Sequence, residues 1–226
     1  MGLFRRNAGR PVLYTEQELS CLEFFIEEHY GAYTSVFHEL VSPDIHVDIA
    51  IIPPSPDRMW TTLVTMGMGA YRMKVPSRLK KDKRDRAELL ICLPPDWEVE
   101  SDEEKWYWPL RWLKILARLP GSEKSWLGRG HTVPGGGPFA GNTALSSLLL
   151  DEPQAYGEEA AFCPLPDGSG IRFYQVIPLY EEERQYQLAH GLEALCERFG
   201  GAFPRVLDPH RENCCRQALI STTRKP

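Results

Sequence analysis

The stretch Asp44–Val75 constrains the fold more than any other part of the chain. Ile45, Val47, Ile49 and Ile51 alternate with His46, Asp48 and Ala50, the two-residue period of a half-buried strand. Pro53, Pro54 and Pro56 cannot donate to a ladder, so pairing stops there. A second strand is expected from Met59 to Met66, antiparallel to the first because the link is short. Met66-Gly67-Met68-Gly69 then breaks the pattern. Such a stretch commits the chain to a sheet.

Local signals extend the sheet and add helices. Thr15 and Glu18 form a capping box, each side chain meeting a backbone N–H that the first turn leaves unpaired. Leu19, Leu22, Phe25 and Ile26 share a helical face, and Gly31 can end the helix. Lys74–Arg86 carries seven basic and two acidic residues, which reads as a solvated turn and helix edge. Ala87–Leu93 reads as a buried strand ended by Pro94-Pro95. Six acidic residues follow between Asp96 and Glu104, and the two charge runs are expected to face each other.

Ser101 and Glu104 offer a second capping box, but Pro109 would break a helix interior. A turn is therefore expected at Asp102–Tyr107 and a helix from Trp108, with Trp112, Ile115, Leu116 and Leu119 inward and Pro120-Gly121 as its stop. The tryptophans at 106, 108, 112 and 126 read as core, with Trp126 the exposed exception. Gly128–Asn142 reads as a long surface loop. Thr143–Leu150, Ala160–Leu165 and Ile171–Leu179 read as strands, the last two joined by an Asp167-Gly168 turn. A final helix opens at Glu181 with Leu188, Leu192, Leu195 and Phe199 inward, and Gly200-Gly201 ends it.

With 226 residues, the chain can build one sizeable core, and no linker divides it. The expected layout is a tail at 1–11, one domain at 12–207 and a second tail at 208–226. A net charge of −5 lacks the basic footprint of a nucleic-acid binder. No apolar run approaches the roughly 20 residues of a membrane span. The N-terminus has Arg5 and Arg6 without a following apolar segment, and Arg6 stands where myristoylation wants Ser or Thr. A soluble, cytoplasmic protein is the expectation. Cys21, Cys92, Cys163 and Cys196 sit in apolar segments as buried thiols, Cys214 and Cys215 read as an exposed pair, and no Cys-x-x-Cys suggests zinc.

Catalytic signatures are lacking. There is no Gly-x-Ser-x-Gly or His-Glu-x-x-His, and Gly121–Ser125 lacks the glycines of a phosphate loop. Gly128-Arg-Gly130 has Val133 where a dinucleotide fingerprint needs its third glycine. His46 and Asp48 share one strand face. With His131 brought over them they could bind a metal or act as an acid–base pair in a small hydrolase or metal-dependent enzyme. The other outcome is a polar strand face with a solvated histidine elsewhere. No catalytic residue, metal site or cofactor is expected.

Seven segments taken in order resemble the Suppressor of fused domain family in its bacterial single-domain form. They are HVDIAIIPP (His46–Pro54), TLVTMGMGAYRM (Thr62–Met73), RAELLICLPPDW (Arg86–Trp97), WYWPLRWLKILARLP (Trp106–Pro120), WLGRGHTV (Trp126–Val133), PFAGNT (Pro138–Thr143) and FYQVIPLYEEE (Phe173–Glu183). The resemblance implies a single α+β domain, a central mixed β-sheet with helices packed around it. It also implies a non-enzymatic protein-binding module. Animal members of the family hold an extended peptide as an added strand between this domain and a second one, for which Asp208–Pro226 is too short. Bacterial members are thought to act as immunity proteins against toxins. The expected partner is thus a protein or extended peptide, including a toxin, with neither nucleic acid nor membrane involved. If the strand from Thr143 lies at a sheet edge, Trp126 and Phe139 would anchor the partner, with His46, Asp48, His131, Asn142 and Thr143 around them.

Overall fold

A capped helix leads into the sheet in the computed structural model, which describes residues 11–42 and 44–216. Helix α1 spans Glu16–His29, with the Thr15–Glu18 capping box formed in both directions. Four strands follow, β1 (Ser35–Phe37), β2 (Asp48–Ile52), β3 (Thr61–Met66) and β4 (Ala87–Leu93), and then α2 (Glu104–Ser122). The second half holds β5 (Thr132–Pro134), β6 (Ser147–Asp151), β7 (Phe162–Pro164), β8 (Gly170–Leu179), α3 (Glu181–His190) and α4 (Leu192–Arg198).

These strands make one mixed sheet in the order β1-β2-β3-β4-β8-β6-β5, with β7 paired to β8 off that path. Neighbours are antiparallel except β4 and β8, which run parallel. The β2–β3 pair has the antiparallel register that the short proline turn requires, Ala50 opposite Val64. Every residue of β3 and β4 is buried, because helices cover both faces at the sheet's centre. On one face α1 presses Leu22, Phe25 and Ile26 onto Ala50, Val64, Leu90 and Phe173. On the other, α2 presses Trp108, Leu113 and Leu116 onto Ile49, Leu63, Leu89 and Tyr174. The domain is α+β and single.

Several elements depart from expectation. Helix α2 begins at Glu104 behind Glu103, Ser101 does not cap it, and Pro109 and Pro120 both lie inside. Pro109 forfeits the bond to the Lys105 carbonyl, but it is buried with Trp108 and Leu110, and that packing offsets the lost bond. The inward face rotates accordingly to Trp108, Leu113, Leu116 and Ala117, which leaves Ile115 39% exposed. The last helix is two helices, broken at Gly191 with φ +95°, and Leu188 points to solvent. Gly128–Asn142 contains β5 and is not a bare loop. Among the described residues no ion pair joins the two charge runs: Arg84 pairs with Asp82 and Lys105 with Glu103, while Arg86 is buried.

The segment expected as a tail from residue 208 is docked through its described part. Arg211 reaches the buried Glu183, Tyr180 donates to the Arg211 carbonyl at 2.5 Å, and Thr143 donates to the Pro209 carbonyl at 2.7 Å. Cys214 and Cys215 are half-buried there, their sulfurs 3.8 Å apart. Limited proteolysis is expected to leave one stable fragment that starts near residue 12 and keeps the docked residues 208–216. Two fragments of similar size on a gel would defeat that layout.

Candidate functional site

Sheet order decides which of the expected site residues can meet. His46 and Asp48 belong to β2 and its approach, whereas His131 enters β5 at the other end of the sheet. Five strand spacings separate β2 from β5, roughly 24 Å at about 4.8 Å each. The proposed trio does not converge. Among the described residues no three His, Cys, Asp or Glu side chains are grouped to hold a metal.

His46 instead belongs to a local chain of bonds. Its Nδ1 lies 2.7 Å from Ser42 Oγ, and its Nε2 lies 3.0 Å from Asp48 Oδ1. The order Ser–His–Asp resembles a hydrolytic triad, but the Ser42 hydroxyl also donates to Glu39 Oε2 at 2.9 Å. Arg118 of α2 donates to the same Glu39 carboxylate at 2.6 Å. A carboxylate stationed on the hydroxyl makes this a brace, tying the approach to β2 onto α2. Asp48 also holds His38 at 2.9 Å and the Glu39 N–H at 2.9 Å. Burial alone would raise the Asp48 pKa, but these donors hold its carboxyl below the usual range.

A second polar centre escaped the sequence reading. Glu88 on β4 is wholly buried and accepts four hydrogen bonds: from Tyr14 at 2.5 Å, Thr65 at 2.5 Å, and the N–H groups of Gly67 at 2.8 Å and Gly69 at 3.0 Å. The Met-Gly-Met-Gly break is thus a backbone nest wrapped around a carboxylate. Burial pushes the Glu88 pKa up despite these donors. Its signal was a lone Glu in AELLICL, a charge in an otherwise apolar strand.

At the far end of the sheet, β5 pairs among the described residues with β6 alone, so its other side is an edge of the described sheet. Gly130 and His131 both face Leu150: the Gly130 N–H donates to the Leu150 carbonyl and the Leu150 N–H to the His131 carbonyl. Gly130 has φ +80°, and this one-residue bulge sets the register of the edge. Beyond the Val133–Leu148 pair the Gly135 N–H again bonds inward to Ser146 O, so alternation turns the N–H and C=O of Thr132 outward, with the C=O of Pro134. Pro134 is tolerated because an outward N–H has no strand to serve. Trp126 packs against His131 with ring centroids 4.3 Å apart. Burial pushes the His131 imidazole below the usual histidine range.

The remaining expected contacts lie inside. Phe139 is 4% exposed and stacks on Trp108 with centroids 4.8 Å apart, so it is core and not an anchor. Thr143 is buried with its hydroxyl on Pro209, and Asn142 is half-buried. The strand expected from Thr143 begins at Ser147 and is internal, flanked by β8 and β5. Among the described residues no helix is long and apolar enough to cross a membrane.

The family model "Suppressor of fused protein (SUFU)" matches residues 43–212. The chain belongs to the Suppressor of fused family. An uncharacterized protein, UU111 of Ureaplasma parvum serovar 3, is 24% identical over 203 residues, covering 88% of this chain and 96% of its own. The crystal structure of a Suppressor of fused homolog from Neisseria gonorrhoeae FA 1090 matches with a TM-score of 0.63 at 19% identity, over 88% of this chain and 98% of the homolog. A Sufu–Fu complex structure matches with a TM-score of 0.60 at 13% identity, over 91% and 93%. Drosophila Suppressor of Fused matches with a TM-score of 0.56 at 12% identity, over 92% of this chain and 52% of that protein. The Suppressor of fused fold therefore comprises nearly all of the described chain, its docked segment at 208–212 included.

Proposed function

We propose that this Suppressor of fused domain is a non-enzymatic binding module that takes an extended segment of a protein partner as an added strand on β5. The observation that carries it is the outer edge of β5, unpartnered among the described residues, where Thr132 and Pro134 turn backbone groups outward beside Trp126 and His131. Strand addition takes its affinity from such main-chain groups and its specificity from flanking side chains. The structure of a family member with a partner, the Sufu–Fu complex, supports a protein as ligand. A hydrolase built on His46, Asp48 and His131 has lost its third member.

Neutralisation of a toxin is the finer part of the proposal. A toxin encoded beside this gene should lose its growth inhibition when both are expressed, and the two proteins should bind. Thr132→Pro removes the outward donor and crowds an incoming strand, yet leaves the β6 side of β5 untouched. It should keep the fold by circular dichroism and weaken partner binding by about tenfold or more. Unchanged affinity in a folded Thr132→Pro protein would remove β5 as the site.

A further inference from the structure

On the α1 face, a second surface carries the marks of a ligand. A groove runs between α1 and β7, lined by Cys21, Phe24, Phe25, Phe162 and Pro164. Phe24 is 67% exposed on a helix whose Leu22, Phe25 and Ile26 already supply the inward face. Folding gains little from Phe24, and a phenyl ring left in water carries a standing cost that a docked partner would relieve.

The rim of the groove is acidic. Helix α1 contains five glutamates and no lysine or arginine, and only Glu18 among the five meets an arginine, Arg86. Glu28 stands on one side of the groove, with Glu158 and Glu159 on the other, all exposed. Among the described residues the sole ion pair on these three is Glu28 with His29 at 3.9 Å. Lys83 and Arg172 lie over the Phe162 ring, so the negative charge at the groove is carried by Glu28 on α1 and by Glu158 and Glu159 opposite it.

We propose that this groove is the docking site for a basic amphipathic helix of a protein partner. Cys21, Phe24 or Phe25, and Glu28 follow one another along α1 at helical spacing, a ridge into which a second helix packs. The partner's apolar residues cover Phe24 and Phe162, and its lysines or arginines meet Glu28, Glu158 and Glu159. Nucleic acids and anionic membranes are repelled by the same rim. The groove shares no residue with the β5 edge, so the two proposals stand or fall separately.

The test uses the full chain and two labelled synthetic helices, one with leucine on one face and lysine on the other, its counterpart with glutamate for lysine. Fluorescence anisotropy at low salt should show binding of the lysine helix only, weakening as salt rises. Phe24→Ser should weaken it by about tenfold, and Glu158→Lys with Glu159→Lys should abolish the preference for lysine. Equal binding of both helices, binding of neither, or unchanged affinity in both folded variants would overturn the proposal. So would self-association abolished by Phe24→Ser, which would give the groove to a second copy.

Discussion

Gly67→Ala is expected to abolish stable folding, with a loss of about 4 kcal/mol or more. Gly67 has φ +141°, a conformation that a side chain resists. An added Cβ would also lie 1.8 Å from the His46 carbonyl oxygen, and a backbone atom cannot swing aside as a side chain can. Relief would need β3 and the approach to β2 to part, and that movement would pull the Gly67 N–H from Glu88. The buried carboxylate would lose a donor while staying out of water, at about 1–3 kcal/mol for the unmade bond alone. Urea unfolding measures the effect, with Gly141→Ala as control. Nothing lies within 4 Å of a Cβ at Gly141, so its midpoint should stay within about 0.5 kcal/mol of wild type. A Gly67→Ala protein that unfolds cooperatively at the wild-type midpoint would show that the nest is not needed.

Where structure follows from neighbours in sequence, the chain was legible. The Thr15–Glu18 box, the strand Ala87–Leu93 and the antiparallel β2–β3 pairing all depend on spacings of a few residues and form as expected, although β2 begins at Asp48 and not Ile45, β3 begins at Thr61 and not Met59, and β2 is buried on both faces. Pro109 was misread because its local penalty is offset by burial against strands far away in sequence. The three residues of β5 are too few to show alternation, and only the bond pattern of β6 reveals them.

The candidate site suffered most from strand order. Sequence cannot announce that β8 inserts between β4 and β6, yet that insertion makes β6 internal and leaves β5 as the edge. It also sends His46 and His131 to opposite ends of the sheet. Phe139 looked like a loop anchor because its partners, Trp108 and Trp112, lie some thirty residues earlier on α2. Trp126 and His131 did come together, since a single short turn separates them.

Arg211→Ala is expected to cost about 3–5 kcal/mol. Glu183 is wholly buried, and the Arg211 guanidinium grips both its oxygens at 2.5 and 2.6 Å. Arg211 also donates to the Pro178 carbonyl and lies over the Tyr180 and Phe199 rings, about 5 Å from each centroid. Removing it strands a carboxylate that, among the described residues, keeps only the backbone N–H groups of Tyr180 and Cys214. That uncompensated charge is the main expense, so taking it away should restore stability. The double variant Arg211→Ala with Glu183→Leu should therefore be more stable than Arg211→Ala alone, although it has lost more native groups. Chemical denaturation compares the two, and hydrogen exchange at residues 208–216 reports whether the segment stays docked. If Arg211→Ala melts at the wild-type midpoint, the ion pair is decorative and the segment from 208 is held by its other contacts. If the double variant is the weaker of the two, the pair contributes through geometry that leucine cannot replace, and the stranded charge is not the cause.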